Sequence, residues 1–139
     1  MTPVIFPDAV ALVVRYLQFE LVTRGDTAAV SAGVRSPRPD RFVVVRRVGG
    51  TRTTVITDSV TLTVEAWAPT AQEAADLSQL CRALCFALEG TVQEDIPIYR
   101  VQEVGGPVDL PDPESDQPRY SFTHSILVRG ASEGRTTSA

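Results

Sequence analysis

The chain has 139 residues and a mass of 15.0 kDa, the size of one ordinary domain. Hydrophobic residues make up 43% and charged residues 22%, enough apolar material for a core and a poor match to global disorder. All 13 basic residues are arginines, and 17 acidic residues leave a net charge of −4, which argues against the basic surface of a general duplex-binding protein.

The longest aliphatic run, residues 9–14, falls far short of the roughly 20 residues of a membrane helix. The N-terminus lacks the basic segment, apolar run and small-residue cleavage site of a signal peptide. Two cysteines and one histidine supply neither a typical structural zinc site nor a disulfide framework. The composition is that of a soluble intracellular α+β domain.

Residues 7–24 read as the first helix, with Val10, Val13, Val14, Leu17 and Leu21 on one side and Gly25 as its stop. A second apolar group, Leu12, Tyr16 and Phe19, projects from nearly the opposite side. It is open to two readings: burial by the domain's own loops, or a contact between subunits. Residues 26–40 form a connector with a short strand around residues 29–34. Pro37 and Pro39 prevent that strand from continuing.

From Arg41 the hydrophobic period changes to two. Residues 42–48 read as a strand, Gly49-Gly50 as a hairpin turn, and residues 52–57 as the returning strand. Thr57-Asp58-Ser59 then turns the chain again into the alternating strand Val60, Leu62, Val64, Ala66, giving a three-stranded meander. On this reading Arg46, Arg47 and Arg52 flank the tip of a hairpin.

Thr70 with Glu73 three residues on announces the second helix, whose apolar face is Leu77, Leu80, Cys81, Leu84 and Leu88 and whose end is Gly90. Two strands follow, at residues 98–104 and 119–129. Between them lies an acidic, proline-rich loop, residues 105–118, carrying Asp109, Asp112, Glu114 and Asp116. Its charges should keep it off the core. Helix, meander, helix and two strands predict an α+β domain over residues 1–129: an antiparallel sheet of about five strands with two helices on one face. Residues 130–139, small and polar, read as a disordered C-terminal tail.

Catalytic constellations are sparse. His124 is the single histidine and lies in phase with Tyr120, Phe122, Ile126 and Val128, so it reads as a hydrogen-bonded core residue. Cys81 and Cys85, spaced i, i+4 among leucines, read as buried thiols rather than a nucleophile, a metal pair or a disulfide. Neither Gly49-Gly50 nor Gly105-Gly106 has the lysine and Ser/Thr of a phosphate loop. Arginines at one hairpin and carboxylates in one loop suit head-to-tail self-association or docking onto charged partners.

Several stretches are familiar in their order: Pro7-Asp8-Ala9-Val10; residues 41–50, RFVVVRRVGG; residues 62–68, LTVEAWA; and Tyr99-Arg100-Val101, Gly105-Gly106-Pro107, Leu110-Pro111-Asp112-Pro113 and Gln117-Pro118-Arg119-Tyr120. Together, over most of residues 4–129, they resemble the tail terminator (tail completion, head–tail joining) proteins of long, non-contractile-tailed phages and prophages of actinobacteria.

The resemblance implies a structural virion protein and not an enzyme, with no catalytic residue, cofactor or metal. It implies a homohexameric ring that caps the head-proximal end of the tail tube, stops its polymerisation and presents a surface to the head–tail connector. Leu12, Tyr16 and Phe19 would then face neighbouring subunits. Arg46, Arg47, Arg52, Asp109, Asp112, Glu114 and Asp116 would dock the tube or neck. Genomic DNA would pass without specific binding, there would be no membrane partner, and the protein would occupy the host cytoplasm during assembly and the virion neck afterwards. Alternatives are a tail tube subunit, a head–tail stopper and, more distantly, a small cytosolic hydrolase using Cys81 and His124.

Overall fold

Asp8 stands in extended backbone before the first helix, and its carboxylate accepts from the Ala11 N–H at 3.1 Å, an N-cap. Helix α1, Ala9–Thr23, buries Ala9, Leu12, Val13, Leu17 and Leu21. Thr70 caps helix α2, Ala71–Phe86, in the same way, its hydroxyl accepting from the Glu73 N–H at 3.2 Å. The computed structural model describes residues 2–133.

The strands are β1 (Val4–Ile5), β2 (Ala29–Ser31), β3 (Phe42–Arg52), β4 (Thr57–Trp67), β5 (Thr91–Gln93), β6 (Ile96–Asp109), β7 (Arg119–Arg129) and β8 (Ala131–Ser132). Six of them form one sheet in the order β2-β3-β4-β7-β6-β5, with β2 parallel to β3 and every other pair antiparallel. The fold is α+β, with one strand more than the sequence suggests and one parallel pair. Both helices pack on the same face, α1 against β2 and β3, α2 against β4, β7 and β6.

That face holds the main core, in which Val43, Val45, Val60, Leu62, Val64, Phe122, Ile126 and Val128 meet Leu17, Leu21, Leu77, Leu84 and Leu88. Alternation along β4 and β7 sends the other side chains to the opposite face, which is half-buried and rich in hydroxyls. There Thr61 meets Ser125 at 3.1 Å, and Thr63 meets Thr123 at 2.9 Å. At one end of this second face Phe42 and Trp67 stack with ring centroids 4.6 Å apart.

Beyond the sheet, β1 and β8 pair antiparallel, Val4 with Ser132 and Ile5 with Ala131, clasping two ends of the described chain together. This places Gly130–Ser132 in ordered structure, against the reading of residues 130–139 as a tail; residues 134–139 lie outside the described residues. No described helix is long and apolar enough to cross a membrane.

Helix α1 begins at Ala9 and helix α2 ends at Phe86, short of Gly90, and two strand boundaries differ more widely from the sequence reading. Gly49-Gly50 is not a turn: β3 runs straight through it, with an irregularity between Arg47 and Gly49, and pairs with β4 as far as Arg52–Asp58. The turn is residues 53–56, tied by Thr53 and Thr54 N–H groups donating to the Thr57 carbonyl at 3.0 and 3.3 Å. The meander therefore collapses to one long hairpin. Likewise β6 continues through Gly105, Gly106 and Pro107, taken up by irregularities in its pairing with β7. Only residues 110–118 remain as loop.

Candidate functional site

The residues singled out in the sequence do not converge. The β3–β4 hairpin tip and the loop 110–118 lie at opposite ends of the strands: Arg52 pairs across with Asp58, which faces Val128, whereas Asp109 pairs with Tyr120. Of the three arginines only Arg52 is at the tip, its Nε donating to the Thr54 carbonyl at 3.0 Å. Arg46 and Arg47 sit further down β3. Arg46 Nε donates to Glu65 at 2.7 Å, and Arg47 Nη2 lies 3.4 Å from Asp58. Each remains nearly half exposed, with 47% and 45% of its side chain accessible.

The acidic loop is not held off the core. Asp112 is buried, accepting from Arg38 Nη1 at 2.9 Å and from the Ser115 hydroxyl at 2.6 Å. Those contacts, led by Ser115 and then Arg38, hold its carboxyl down at about 2. Gln117 adds a bond to the Asp40 carbonyl at 3.1 Å, so the loop is stitched to the connector between β2 and β3. Asp109, Glu114 and Asp116 are exposed. The sequence hides this arrangement because Arg38 and Asp112 are far apart in the chain and meet only when β3 and β7 flank β4.

The second apolar stripe of α1 does not exist as an exposed surface. Leu12 is 1% exposed and belongs to the main core, because β2 and β3 cover one side of α1 and α2 another. Tyr16 is half-buried and donates its hydroxyl to the Leu84 carbonyl at 2.7 Å. Its burial pushes its pKa to about 12. Phe19 alone stays open, 69% exposed. A shallow depression of about 240 Å³ beside it is lined by Leu12, Arg15, Tyr16 and Glu94, with Arg15 and Glu94 paired at 2.7 and 2.8 Å.

One polar cluster is built into the helix face of the sheet. Glu103 on β6 accepts from Arg82 Nε and Nη2 at 2.6 and 2.7 Å, a two-pronged pair, and its Oε2 lies 3.1 Å from His124 Nε2. His124 is 2% exposed on the interior strand β7, between the rings of Phe86 and Phe122 at 4.5 and 4.9 Å. An ionised carboxylate can only accept, so Nε2 carries the proton, and Nδ1 has no protein partner.

Arg82, with His124 second, holds the Glu103 carboxyl down at about 2, while burial keeps His124 below its ordinary value against the pull of Glu103. His124 was legible as a core residue. Its partner Glu103 was not, since their meeting depends on the β6–β7 register.

The signs of these shifts predict acid sensitivity in two stages. The unfolded chain protonates its histidine near 6.5 and the folded chain resists, so stability falls as pH drops through 6.5. Glu103 favours the fold fully above its ordinary 4.5, and that contribution is lost as pH falls towards about 2. Melting temperature should therefore decline from pH 6.5 downward. His124→Gln should flatten the upper stage, and Glu103→Gln should make the lower one shallower. A pH-independent melting temperature in both variants and parent would refute this account.

Cys81 and Cys85 are buried and free; burial raises both thiols, Cys85 to about 12. Neither is a thiolate at neutral pH, which opposes a nucleophilic role. Both should resist a thiol reagent such as Ellman's reagent in the native protein and react fully in denaturant. Alanine at either should cost about 1–2 kcal/mol. Among the described residues no three His, Cys, Asp or Glu side chains gather as a metal site. No protein-family model matches the chain, and no curated protein matches it significantly.

Proposed function

We propose that the protein is a tail-terminator subunit: a virion protein that rings the head-proximal end of a phage tail tube, ends tube polymerisation and receives the head–tail connector. The ordered set of stretches that resemble that family suggests the reading. The observation that supports it best is the polarity of the sheet. One end of the strands carries the exposed hairpin tip with Arg52, Val55 and Ile56; the other carries the exposed Asp109, Glu114 and Asp116.

A ring whose strands run along its axis then presents two chemically different faces, one to the tube and one to the neck. The tip residues form a paired hairpin rather than a loose loop, so they reach outward on a stiff support. A net charge of −4 suits a ring through which DNA would pass without being retained.

The test is complementation in particle-producing cells with an Arg52→Glu, Val55→Asp double variant. Folded, soluble subunits accompanied by overlong or headless tails are expected, and immunogold electron microscopy should place the parent protein at the neck. Normal tails and infectious particles would remove the hairpin from tube contact. Label distributed along the tube would favour a tube subunit instead.

A further inference from the structure

The sheet ends in two strands that outrun their neighbours. On one side β2 pairs only with Phe42, Val43 and Val44 of β3, so β3 has no neighbouring strand beyond that point among the described residues. On the other side β5 pairs only with Ile96, Pro97 and Ile98, leaving residues 99–109 of β6 without one. Such edges offer unpaired backbone groups to another strand unless charge, proline or a cover blocks them. Glu89 blocks one place, its Oε1 accepting from the Val101 N–H at 3.0 Å. Past it, residues 102–106 carry no strand, and on β3 the exposed stretch is residues 46–48, Val45 being buried.

The two open stretches lie at the same height. Arg47 pairs with Leu62, Leu62 with His124 and His124 with Glu103, so one transverse row crosses the whole sheet. It ends in Arg47 at one edge and Glu103 at the other, both on the helix face; Glu103 is already held by Arg82 and His124 and keeps 24% of its side chain accessible. Next to this row each edge carries an exposed valine at an irregularity in its strand, Val48 at 56% and Val104 at 64%. The strands β3, β4, β7 and β6 alternate in direction, so the outer two are antiparallel to one another.

We propose that a second copy of this chain docks its residues 102–104 antiparallel onto residues 46–48, bringing Glu103 of one subunit opposite Arg47 of the next. The row fixes the register: Val48 then stands opposite Gln102, and Val104 opposite Arg46. Because the partners meet at equal height, the contact needs no shift along the strands. The contact is head-to-tail and so repeats from copy to copy, closing as a ring where the turn per copy completes a circle and running on as a filament where it does not. At home Arg47 is 45% exposed and makes two long contacts, Nε to the Gly49 carbonyl at 3.2 Å and Nη2 to Asp58 at 3.4 Å, which it would exchange for the neighbour's carboxylate. The inference deepens the ring reading above, but the contact itself stands on the edges and their charges.

The experiment is oxidative crosslinking of a Val48→Cys, Gln102→Cys chain at high protein concentration, read on a denaturing gel. The native Cys81 and Cys85 are buried and give little background. A ladder of covalent oligomers is expected from the double variant. An equimolar mixture of the two single variants should stop at a dimer, and adding Arg47→Glu should slow crosslinking roughly tenfold. A ladder from chains in open filaments by electron microscopy would uphold the edge contact and overturn the terminator reading. Rings without crosslinks would overturn the edge contact alone. Dimers from Val48→Cys alone, which require a self-facing contact, or a chain that neither crosslinks nor oligomerises, would also overturn it.

Discussion

Replacing Trp67 with alanine should cost about 3–5 kcal/mol, a large part of the roughly 5–15 kcal/mol that holds such a domain together. Trp67 is 2% exposed on the sheet face away from the helices, where no second layer of helices covers it. Its cover is local: Phe42 stacks on it with ring planes 13° apart, and the Arg119 guanidinium lies 5.4 Å from its ring. Arg38 stands over Phe42 in turn, at 5.9 Å, so the pile ends in the same arginine that holds Asp112.

Loss of the indole therefore opens a cavity at the junction of β3, β4 and the loop 110–118. A fall in melting temperature of roughly 10–20 °C is expected by circular dichroism. Trp67→Phe should be far milder, because the indole Nε1 is buried without an acceptor and its removal leaves nothing unpaired. A loss of only a degree or two in the alanine variant would show that this face is not a second core.

Gly50→Ala is the second severe change. Gly50 has φ of +129°, which L side chains rarely adopt, and a Cβ there would run into the Ser59 carbonyl on β4. Backbone strain of about 1–3 kcal/mol and overlap of similar size both fall on one position, and neither can relax without parting β3 from β4. Gly49→Ala meets nothing within 4 Å and serves as the control. The expected result is loss of hydrogen-exchange protection in residues 45–60 for Gly50→Ala and near-normal protection for Gly49→Ala. Equal protection in the two would sink the argument.

This pair also explains where the sequence misled. Two adjacent glycines after a β-branched run are a local turn signal, and nothing nearby in the chain contradicts it. What overrides it is the match between β3 and β4 over their full length, a tertiary fact. Gly50 serves close approach of two strands rather than reversal of one. Gly105-Gly106-Pro107 misled for the same reason, since irregular pairing keeps β6 in the sheet.

Where a strand is regular and half-buried, the pattern sufficed: β7 was legible to the residue, and β4 in all but its first three positions. The α2 cap was legible at Thr70, whereas Asp8, the cap of α1, was read as lying inside a helix that began at residue 7. Strands of two or three residues, β1, β5 and β8, carry no period to read. Leu12 went astray because α1 is covered from two directions, which a single-stripe helix would not require. Of the candidate site, His124 and the thiols were placed correctly in the core, whereas Arg82 beside Glu103, Glu65 beside Arg46 and Arg38 beside Asp112 are partners from elsewhere in the chain.

The clasp of β1 on β8 has a bearing on how the molecule is made. Val4 and Ile5 are synthesised long before their partners, Ala131 and Ser132, which lie beyond every other described element. Gly130 fits between them so closely that a Cβ would lie 2.7 Å from Val4 and 2.8 Å from Phe6. Strand β1 therefore waits for every other described element before it can dock, across the longest strand-to-strand separation among the described residues. The β3–β4 hairpin, by contrast, needs only a four-residue turn and can zip during synthesis. Docking of β1 is in that sense a late step of folding, and the hairpin an early one.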